Sequence, residues 1–518
     1  GDLNTFLGYN AGATTATASD NTGVGYNAGA SITTGIQNTL IGSVAGDALT
    51  DADYNVALGY LALSADTLGS RSIAIGYNTL GVQNFTSATN TYNVAVGHGA
   101  GASVTTGTQN TFLGGLAGDA LQTGLGNVAL GYTALGLEDA SSANTAIGHS
   151  ALANQNAGTD AYNTAVGYNS GAAVTTGIRN TLIGGLAGDA LTDADKNTVV
   201  GQGALTTDTL GSLSVAIGYD ALAVQNFTSA TNSYNTAVGS FAGAGVTTGT
   251  KNTLIGGLAG DALTNASLNT AIGYFSLSAD TLGSRSTAIG TGALKVQNFT
   301  SATDTYNTAI GFEAGVAVTT GVQNTLIGGL AGDAINTGDN NVAVGMASLS
   351  TLTTANDNVA VGVSALASNL TGASNTAVGR SSLASVTSGT RNIAMGALAG
   401  DALTDADYNV AIGTSALTAD TLGSRSVAIG DSALSSQNFT SATDSYNIGI
   451  GYNAGGNVST GIQNVLIGGL AGDALSDADY NIAIGVNALG SDTKGNANTA
   501  VGAAALFNQN FTSVTDSV

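Results

Sequence analysis

Residues Asn163-Thr164-Ala165-Val166-Gly167 are one copy of the five-residue unit that decides the fold: Asn or Ser, then Thr, Val or Ile, any residue, an aliphatic residue and Gly. We count 29 copies, which start at residues 4, 21, 38, 55, 72, 93 and so on to 498, mostly 17 residues apart. Helix-pair repeats need about 33 residues or more, and Gly, Asn and Thr are poor helix formers. The unit therefore predicts an all-β chain, a parallel β-solenoid of 29 coils with about 17 residues in each.

Each position of the unit recurs in every coil and forms a column along the stacked strands. The first column is Asn in 25 coils and Ser in four, which predicts a ladder of side-chain amides. The fifth column is Gly in all 29 coils, which predicts positive φ or a close backbone approach. The fourth column is Ile, Val or Leu except at Met395, and we expect it to form the spine of the core. The third column is mostly Ala, with some larger residues such as Leu182 and Phe112, so both strand faces are apolar and one is expected to pack against another chain.

Longer coils recur along the chain and divide it into blocks. The step to the next unit is 21 residues after residues 72, 214, 286 and 426, and 19 residues after residue 144. We therefore expect residues 1–518 to be a single repetitive segment of a longer chain, with a partial block at 1–20 and seven four-coil blocks of about 72 residues. These blocks are 21–92, 93–162, 163–234, 235–306, 307–374, 375–446 and 447–518.

The composition argues against several classes of function. Only 8% of the residues are charged, and the net charge of −23 makes nucleic acid a poor candidate partner. The absence of Cys removes disulfides and thiolate metal sites. No apolar run approaches the ~20 residues that cross a bilayer, so we do not expect this segment to be membrane-embedded.

The repeat carries no recognisable catalytic motif. Glycine runs such as 184–188 lack the Lys and the following helix of phosphate-binding loops, and His98 and His149 occupy a column that is Tyr in other coils. A catalytic site also has no reason to recur in 29 coils. We therefore expect no enzymatic activity and no cofactor, with calcium as the one candidate to consider.

Acidic side chains cluster in the second coil of four blocks. Closely spaced oxygen ligands suit Ca²⁺, but an acidic, solvated turn explains the same pattern. The cluster is also incomplete in two further blocks, for example at 261–265. The calcium candidates are Asp47, Asp51, Asp53, Asp189, Asp193, Asp195, Asp401, Asp405, Asp407, Asp473, Asp477 and Asp479.

The fourth coil of most blocks carries an insertion with the sequence Gln-Asn-Phe-Thr, and insertions in solenoids leave as surface loops. The Phe has two possible roles. It is either a lateral contact for a receptor, a glycan or a neighbouring fibre, or a cover over the corner that the insertion extends. The residues are Phe85, Phe227, Phe299, Phe439 and Phe511.

Basic residues are concentrated at one position of the coil. Seven of the ten end a coil, where we expect them to offset repulsion between acidic turns and to contribute to solubility and register. They are Arg71, Arg179, Lys196, Lys251, Arg285, Arg391 and Arg425.

The units at 144–148 and 214–218 resemble the head repeats of trimeric autotransporter adhesins, and the extended form at 163–171 is similar to repeats of bacteriophage tail fibres. The resemblance covers the whole chain, although the 17-residue coil is slightly longer than usual. It implies a homotrimer of left-handed parallel β-rolls whose small aliphatic strand faces the three-fold axis. It also implies an extracellular location, on a virion tail or a bacterial cell surface.

The leading functional hypothesis from the sequence is a trimeric fibre shaft that spaces or displays a host- or receptor-binding tip. At about 4.8 Å per coil, such a shaft is expected to be on the order of 140 Å long. Two alternatives remain open. One is a binding module whose lateral Asn-Phe-Thr loops engage carbohydrate or protein, and the other is a homopolymeric extracellular filament or matrix protein.

Overall fold

The structure is a computed structural model that describes residues 3–513 and 515–516, and it is all-β, as the repeat predicts. Residues 1 and 2 of the partial block and residues 514, 517 and 518 of the last block lie outside the described residues. There are two compact units, Gly1–Asn265 and Ala266–Val518, and each consists of stacked parallel strands.

Most strands are three residues long and coincide with positions two to four of the repeated unit. In the first unit they are Thr5–Leu7, Thr22–Val24, Thr39–Ile41, Val56–Leu58, Ile73–Ile75, Val94–Val96, Thr111–Leu113, Val128–Leu130, Thr145–Ile147, Thr164–Val166, Thr181–Ile183, Thr198–Val200, Val215–Ile217, Thr236–Val238 and Thr253–Ile255. In the second unit they are Thr270–Ile272, Thr287–Ile289, Thr308–Ile310, Thr325–Ile327, Val342–Val344, Val359–Val361, Thr376–Val378, Ile393–Met395, Val410–Ile412, Val427–Ile429, Ile448–Ile450, Val465–Ile467, Ile482–Ile484 and Thr499–Val501.

The longest coils add a second, two-residue ladder. In each case the end of a third coil pairs in parallel with the insertion of the fourth coil, for example Gly211 with Thr231. The pairs are Gly69–Ser70 with Thr89–Asn90, Gly211–Ser212 with Thr231–Asn232, Gly283–Ser284 with Thr303–Asp304, Gly423–Ser424 with Thr443–Asp444, and Gly495–Asn496 with Thr515–Asp516.

Within each unit, successive three-residue strands pair in parallel and in register, one coil apart. Thr164 lies opposite Thr181, and Val166 lies opposite Ile183. The columns inferred from the sequence are therefore real ladders, and the predicted parallel β-solenoid is confirmed.

The fifth-column Gly is required by both conformation and space. Gly184 has a φ of +134°, which residues other than Gly rarely adopt. A Cβ on Gly184 would also lie 2.5 Å from the carbonyl oxygen of Gly201 in the next coil. Neighbouring coils thus approach each other backbone to backbone at this corner. Any larger residue here must push the two coils apart.

The core does not lie where the sequence analysis placed it. Third-column side chains such as Ala165 and Leu182 are fully buried, whereas the fourth-column Ile183 is 38% exposed. The expectation that the fourth column forms the core spine is therefore wrong. Because successive side chains of a strand point to opposite faces, the second and fourth columns both face outward, and the third alone faces the interior.

Large and small side chains at the third and ninth positions of the coil complement each other. Ala216 in the third column accompanies Leu222 at the ninth position, and both are fully buried. Wherever the third column is Leu or Phe, the ninth position is Gly. A Cβ on Gly188 would lie 3.0 Å from Leu182 Cδ2, and one on Gly171 would lie 2.5 Å from Leu182 Cδ1. Leu182 thus fills the space above the glycines of two coils.

First-column Asn side chains tie neighbouring coils together, which confirms the predicted ladder. Asn180 Oδ1 accepts a hydrogen bond from the backbone N–H of Asn197 (2.9 Å), and its Nδ2 donates to the carbonyl of Ala194 in its own coil (2.8 Å). Asn163 Oδ1 accepts from the backbone N–H of Asn180 in the same way (2.8 Å). The coil-to-coil bond therefore runs from a side-chain oxygen to a backbone N–H, rather than only between amide groups.

Candidate functional site

A largely apolar surface, which we call the outward stripe, runs along the three-residue strands of each unit and consists of the fourth-column side chains, which are apolar throughout, and the second-column side chains, which are Thr, Val or Ile. In the fourth column, Ile183 is 38% and Ile327 37% exposed. In the second column, Ile393 is 42% exposed. Rows of exposed apolar side chains on regular strands are typical of protein–protein contacts.

Aromatic rings stack at the sixth position of the coil, two residues after the fourth column. Tyr77 lies between Tyr60 and His98, with ring centroids 5.7 and 4.9 Å away. His149 lies 5.5 Å from both Tyr132 and Tyr168. Both His residues are members of an aromatic column, which is the role that the sequence assigned to them.

Four of the basic residues that end a coil lie over Tyr rings of adjacent coils, namely Arg71, Arg285, Arg391 and Arg425. The guanidinium groups of Arg391 and Arg425 lie 5.3 and 4.8 Å from the centre of the Tyr408 ring, on which they make cation–π contacts. Arg425 also pairs with Asp444 at 3.0 Å. Both members of this ion pair are exposed, so its contribution to stability is small. The sequence analysis missed the Tyr partners, although Tyr and Arg alternate at this position in the sequence.

The carboxylates predicted as calcium ligands accept hydrogen bonds from different neighbouring coils. Asp195 Oδ1 accepts from the backbone N–H of Ile178 in the preceding coil (2.8 Å), and Asp189 Oδ1 accepts from Thr206 Oγ1 in the following coil (2.6 Å). Matching contacts are Asp51 with Thr34, Asp53 with Ile36, Asp193 with Thr176, Asp401 with Thr418, Asp405 with Ser388, Asp407 with Thr390, and Asp479 with Ile462, while Asp477 pairs with Lys494. Across residues 3–513 and 515–516, no three Asp, Glu, His or Cys side chains are grouped as metal ligands.

The Asp at the tenth position of the second coil differs between blocks. Asp189 accepts a hydrogen bond from the Thr206 hydroxyl, but Asp47 and Asp333 each have one buried carboxylate oxygen without a hydrogen-bond partner. Ser64 follows Asp47 in the column and donates instead to the carbonyl of Gly81. Burial raises the pKa of the carboxyls that lack a Thr hydroxyl, which are those of Asp47, Asp119, Asp261, Asp333 and Asp473.

The insertions of the fourth coils place their Phe rings over the corner. Phe85 and Phe227 are 7% and 5% exposed, and Phe299 and Phe439 are buried in the same way, while Phe511 is half-buried. A Cβ on Gly211 would lie 2.8 Å from the ring of Phe227, so the ring packs on the preceding coil. The solvent-exposed part of this insertion is 228–230, and a lateral partner would meet those residues rather than the ring.

A buried polar network underlies this corner. Gln225 Nε2 donates to Asp208 Oδ2 (2.6 Å) and to Ser214 Oγ (3.0 Å), and Gln225 Oε1 accepts from Asn235 Nδ2 (2.8 Å). Burial raises the pKa of Asp208, although the Gln225 side chain and the backbone N–H groups of Phe227, Gly211 and Leu210 oppose the shift. The pKa is raised for the same reason at the equivalent residues, Asp66 and Asp280.

The sequence held a signal for this network that the sequence analysis did not use. Every first-column Ser is accompanied by Gln eleven residues later, as in Ser214 and Gln225. The Ser214 hydroxyl provides an acceptor for the Gln225 side-chain amide. Gln also stands eleven residues after Asn144 and Asn498, and Gln509 Nε2 donates to Asn498 Oδ1 (2.6 Å), so an Asn in the first column also accommodates the Gln.

Within the described residues, the structure contains no helix able to cross a membrane. No model of a known protein family matches the chain, and no curated protein sequence matches it either. The functional argument therefore rests on the fold and its surfaces.

Proposed function

We propose that this chain is the shaft of an extracellular, homotrimeric fibre, in a phage tail or a bacterial surface adhesin, that holds a host-binding tip away from its anchor. The outward stripe carries the proposal. Each coil contributes an apolar side chain in the fourth column, such as Ile183 and Ile327, and 13 of the 29 coils add Val or Ile in the second column. Further copies of the chain in the same register would cover the stripe coil by coil.

The energetics favour a long contact over a short one. Full burial of a Val, Leu or Ile side chain is worth roughly 1.5–3 kcal/mol, so covering the 38% of Ile183 that remains exposed is worth about 0.6–1.1 kcal/mol. Association costs an estimated 4–15 kcal/mol. On the order of ten coils must therefore pair before fourth-column burial exceeds this cost, which a long repetitive stripe makes possible.

A structural role is favoured over a binding module because the repeated polar features serve contacts between coils. The Asp195 carboxylate bonds to the preceding coil, and the Phe227 ring covers its own corner. First-column Asn residues such as Asn180 are fully buried in the ladder. These contacts stiffen the stack, and the outward stripe is an extended surface that a partner can cover.

Native mass spectrometry and light scattering test the proposal. One chain has a mass of 50.2 kDa, so we expect a particle of about 151 kDa. The triple variant Val166→Asp, Ile183→Asp and Val200→Asp places three charges on adjacent rungs of the stripe, and we expect it to dissociate because burying unpaired charge is costly. The matched control is Val224→Asp, an exposed apolar position off the stripe.

The control variant is expected to keep the mass of the unmodified protein, and both variants are expected to keep its circular dichroism spectrum. A monomeric mass for the unmodified chain at micromolar concentration would refute the trimer.

A further inference from the structure

One pocket marks a place where the repeat is broken. It lies in the block 93–162, within the first unit, and has a volume of about 260 Å³. This is just under the ~300–1,000 Å³ of sites for drug-sized ligands, so it suits a smaller molecule. The pocket is lined by Asp119, Thr133, Gly136, Leu137, Ala153 and Asn154.

The pocket exists because one hydroxyl-bearing side chain is missing. Gly136 occupies the column position at which another block has Thr206, whose Oγ1 donates to Asp189 at 2.6 Å. A Cβ on Gly136 would lie 3.7 Å from Asp119 Oδ1, so a Thr in this place has its hydroxyl within reach of the carboxylate. Asp119 thus faces the pocket without the donor that Asp189 has.

A second glycine in this column shows how the space can be closed. In the last block, Gly490 follows Asp473 as Gly136 follows Asp119. There the Phe507 ring lies 3.0 Å from where a Cβ on Gly490 would be, and it covers the gap. The residue at the position of Phe507 in the block 93–162 is Ala153, which leaves the gap open.

We propose that this pocket binds a polyol of monosaccharide size, one hydroxyl of which donates to Asp119 in the place of the missing Thr hydroxyl. The side-chain amide of Asn154 offers both a donor and an acceptor to neighbouring hydroxyls. Leu137, which is 57% exposed, and Ala153 provide the apolar wall for the C–H face of a sugar ring. Burial raises the pKa of the Asp119 carboxyl. The proposal does not depend on the oligomeric state.

Titration calorimetry and saturation-transfer NMR with glucose, galactose, mannose, N-acetylglucosamine and rhamnose test the site. We expect at least one of these sugars to bind once per chain with a Kd of about 1 mM or tighter. Two substitutions close the pocket with side chains that sister coils already carry, Gly136→Thr and Ala153→Phe. Each is expected to weaken binding at least about tenfold, because it fills the space that the ring needs.

The matched control is Thr206→Ser, which keeps a hydroxyl for Asp189 and should leave the affinity unchanged. Melting curves of all variants report on folding. If Gly136→Thr lowers the melting temperature of the protein, the affinity of Ala153→Phe for the sugar is the test of the site. Failure of all five sugars to bind at ten times the expected Kd overturns the proposal, as does binding that survives the pocket-filling substitutions.

Discussion

Substitution of Asn180 by Ala removes one rung of the first-column ladder. The carbonyl of Ala194 and the backbone N–H of Asn197 then lose their partner, and both lie in the buried interior of the stack. A buried polar group left without a hydrogen bond costs about 1–3 kcal/mol, so the two together cost about 2–6 kcal/mol. The loss is local, because a coil of a solenoid contacts only its neighbours.

Native-state hydrogen exchange at the Asn197 amide measures this loss. A cost of 2 kcal/mol corresponds to about thirty-fold faster exchange, since 1.36 kcal/mol is a factor of ten. Asn180→Ser should destabilise the coil nearly as much. The natural Ser214 is hydrogen-bonded to Gln225, whereas the residue eleven positions after Asn180 is Leu191, which cannot form this bond.

The control is Thr207→Ala, an exposed change in the coil that starts at residue 197. If exchange at Asn197 rises by less than about threefold in Asn180→Ala, the Asn side chain does not hold the coils together in the way described.

Gly184→Ala is expected to lower the melting temperature strongly, because the new Cβ would lie 2.5 Å from a backbone oxygen. Gly185→Ala should leave the melting temperature unchanged, because the atom nearest to its Cβ would be 4.0 Å away. Equal melting temperatures for the two variants would contradict this reasoning. Leu182→Ala should cost about 2–5 kcal/mol of stability by leaving a cavity, while Ile183→Ala should mainly weaken association, as denaturation and light scattering will show. Burial holds the pKa of Asp208 and of its equivalents Asp66 and Asp280 above the unfolded value of 3.8, so these carboxyls bind more protons in the folded state than in the unfolded state. Their protonated forms therefore contribute fully to stability below pH 3.8, and this contribution is lost as the pH rises through the folded pKa. We therefore expect a higher melting temperature near pH 4.5 than at pH 7, and a lower one would argue against this assignment.

The coil length, the parallel register and the Asn ladder could be read from the sequence because stacking places like residues on top of each other. The assignment of the core face could not. A strand with Ala at position 165 and Val at position 166 is apolar on both faces, and alternation alone does not tell which face is inside. The third column holds Ala in most coils but Leu or Phe in seven, so the size of the side chains does not identify the inner face either.

The pairing of Leu182 with two glycines was the available clue to the inner face. Gly171 and Gly188 stand at the ninth position of adjacent coils, and the Leu182 side chain lies against both, together with Leu152 at Gly171 and Leu191 at Gly188. Alignment of the coils at their 17-residue period would also have shown Gly136 in the column of Thr206. What the alignment cannot show is that the gap beside Asp119 stays open, because this depends on the small Ala153 in the next coil.

The finding that the third column, and not the fourth, faces the interior changes the argument for a partner chain. If the fourth column were inside, the outer surface of each strand would present mostly Ala, and copies of the chain would gain little by packing together. With Ile183 and its equivalents outside, the surface that remains for a partner carries the larger apolar side chains of the strand. The burial that the sequence assigned to the core of one chain is therefore still to be gained, and the proposed association between chains would provide it.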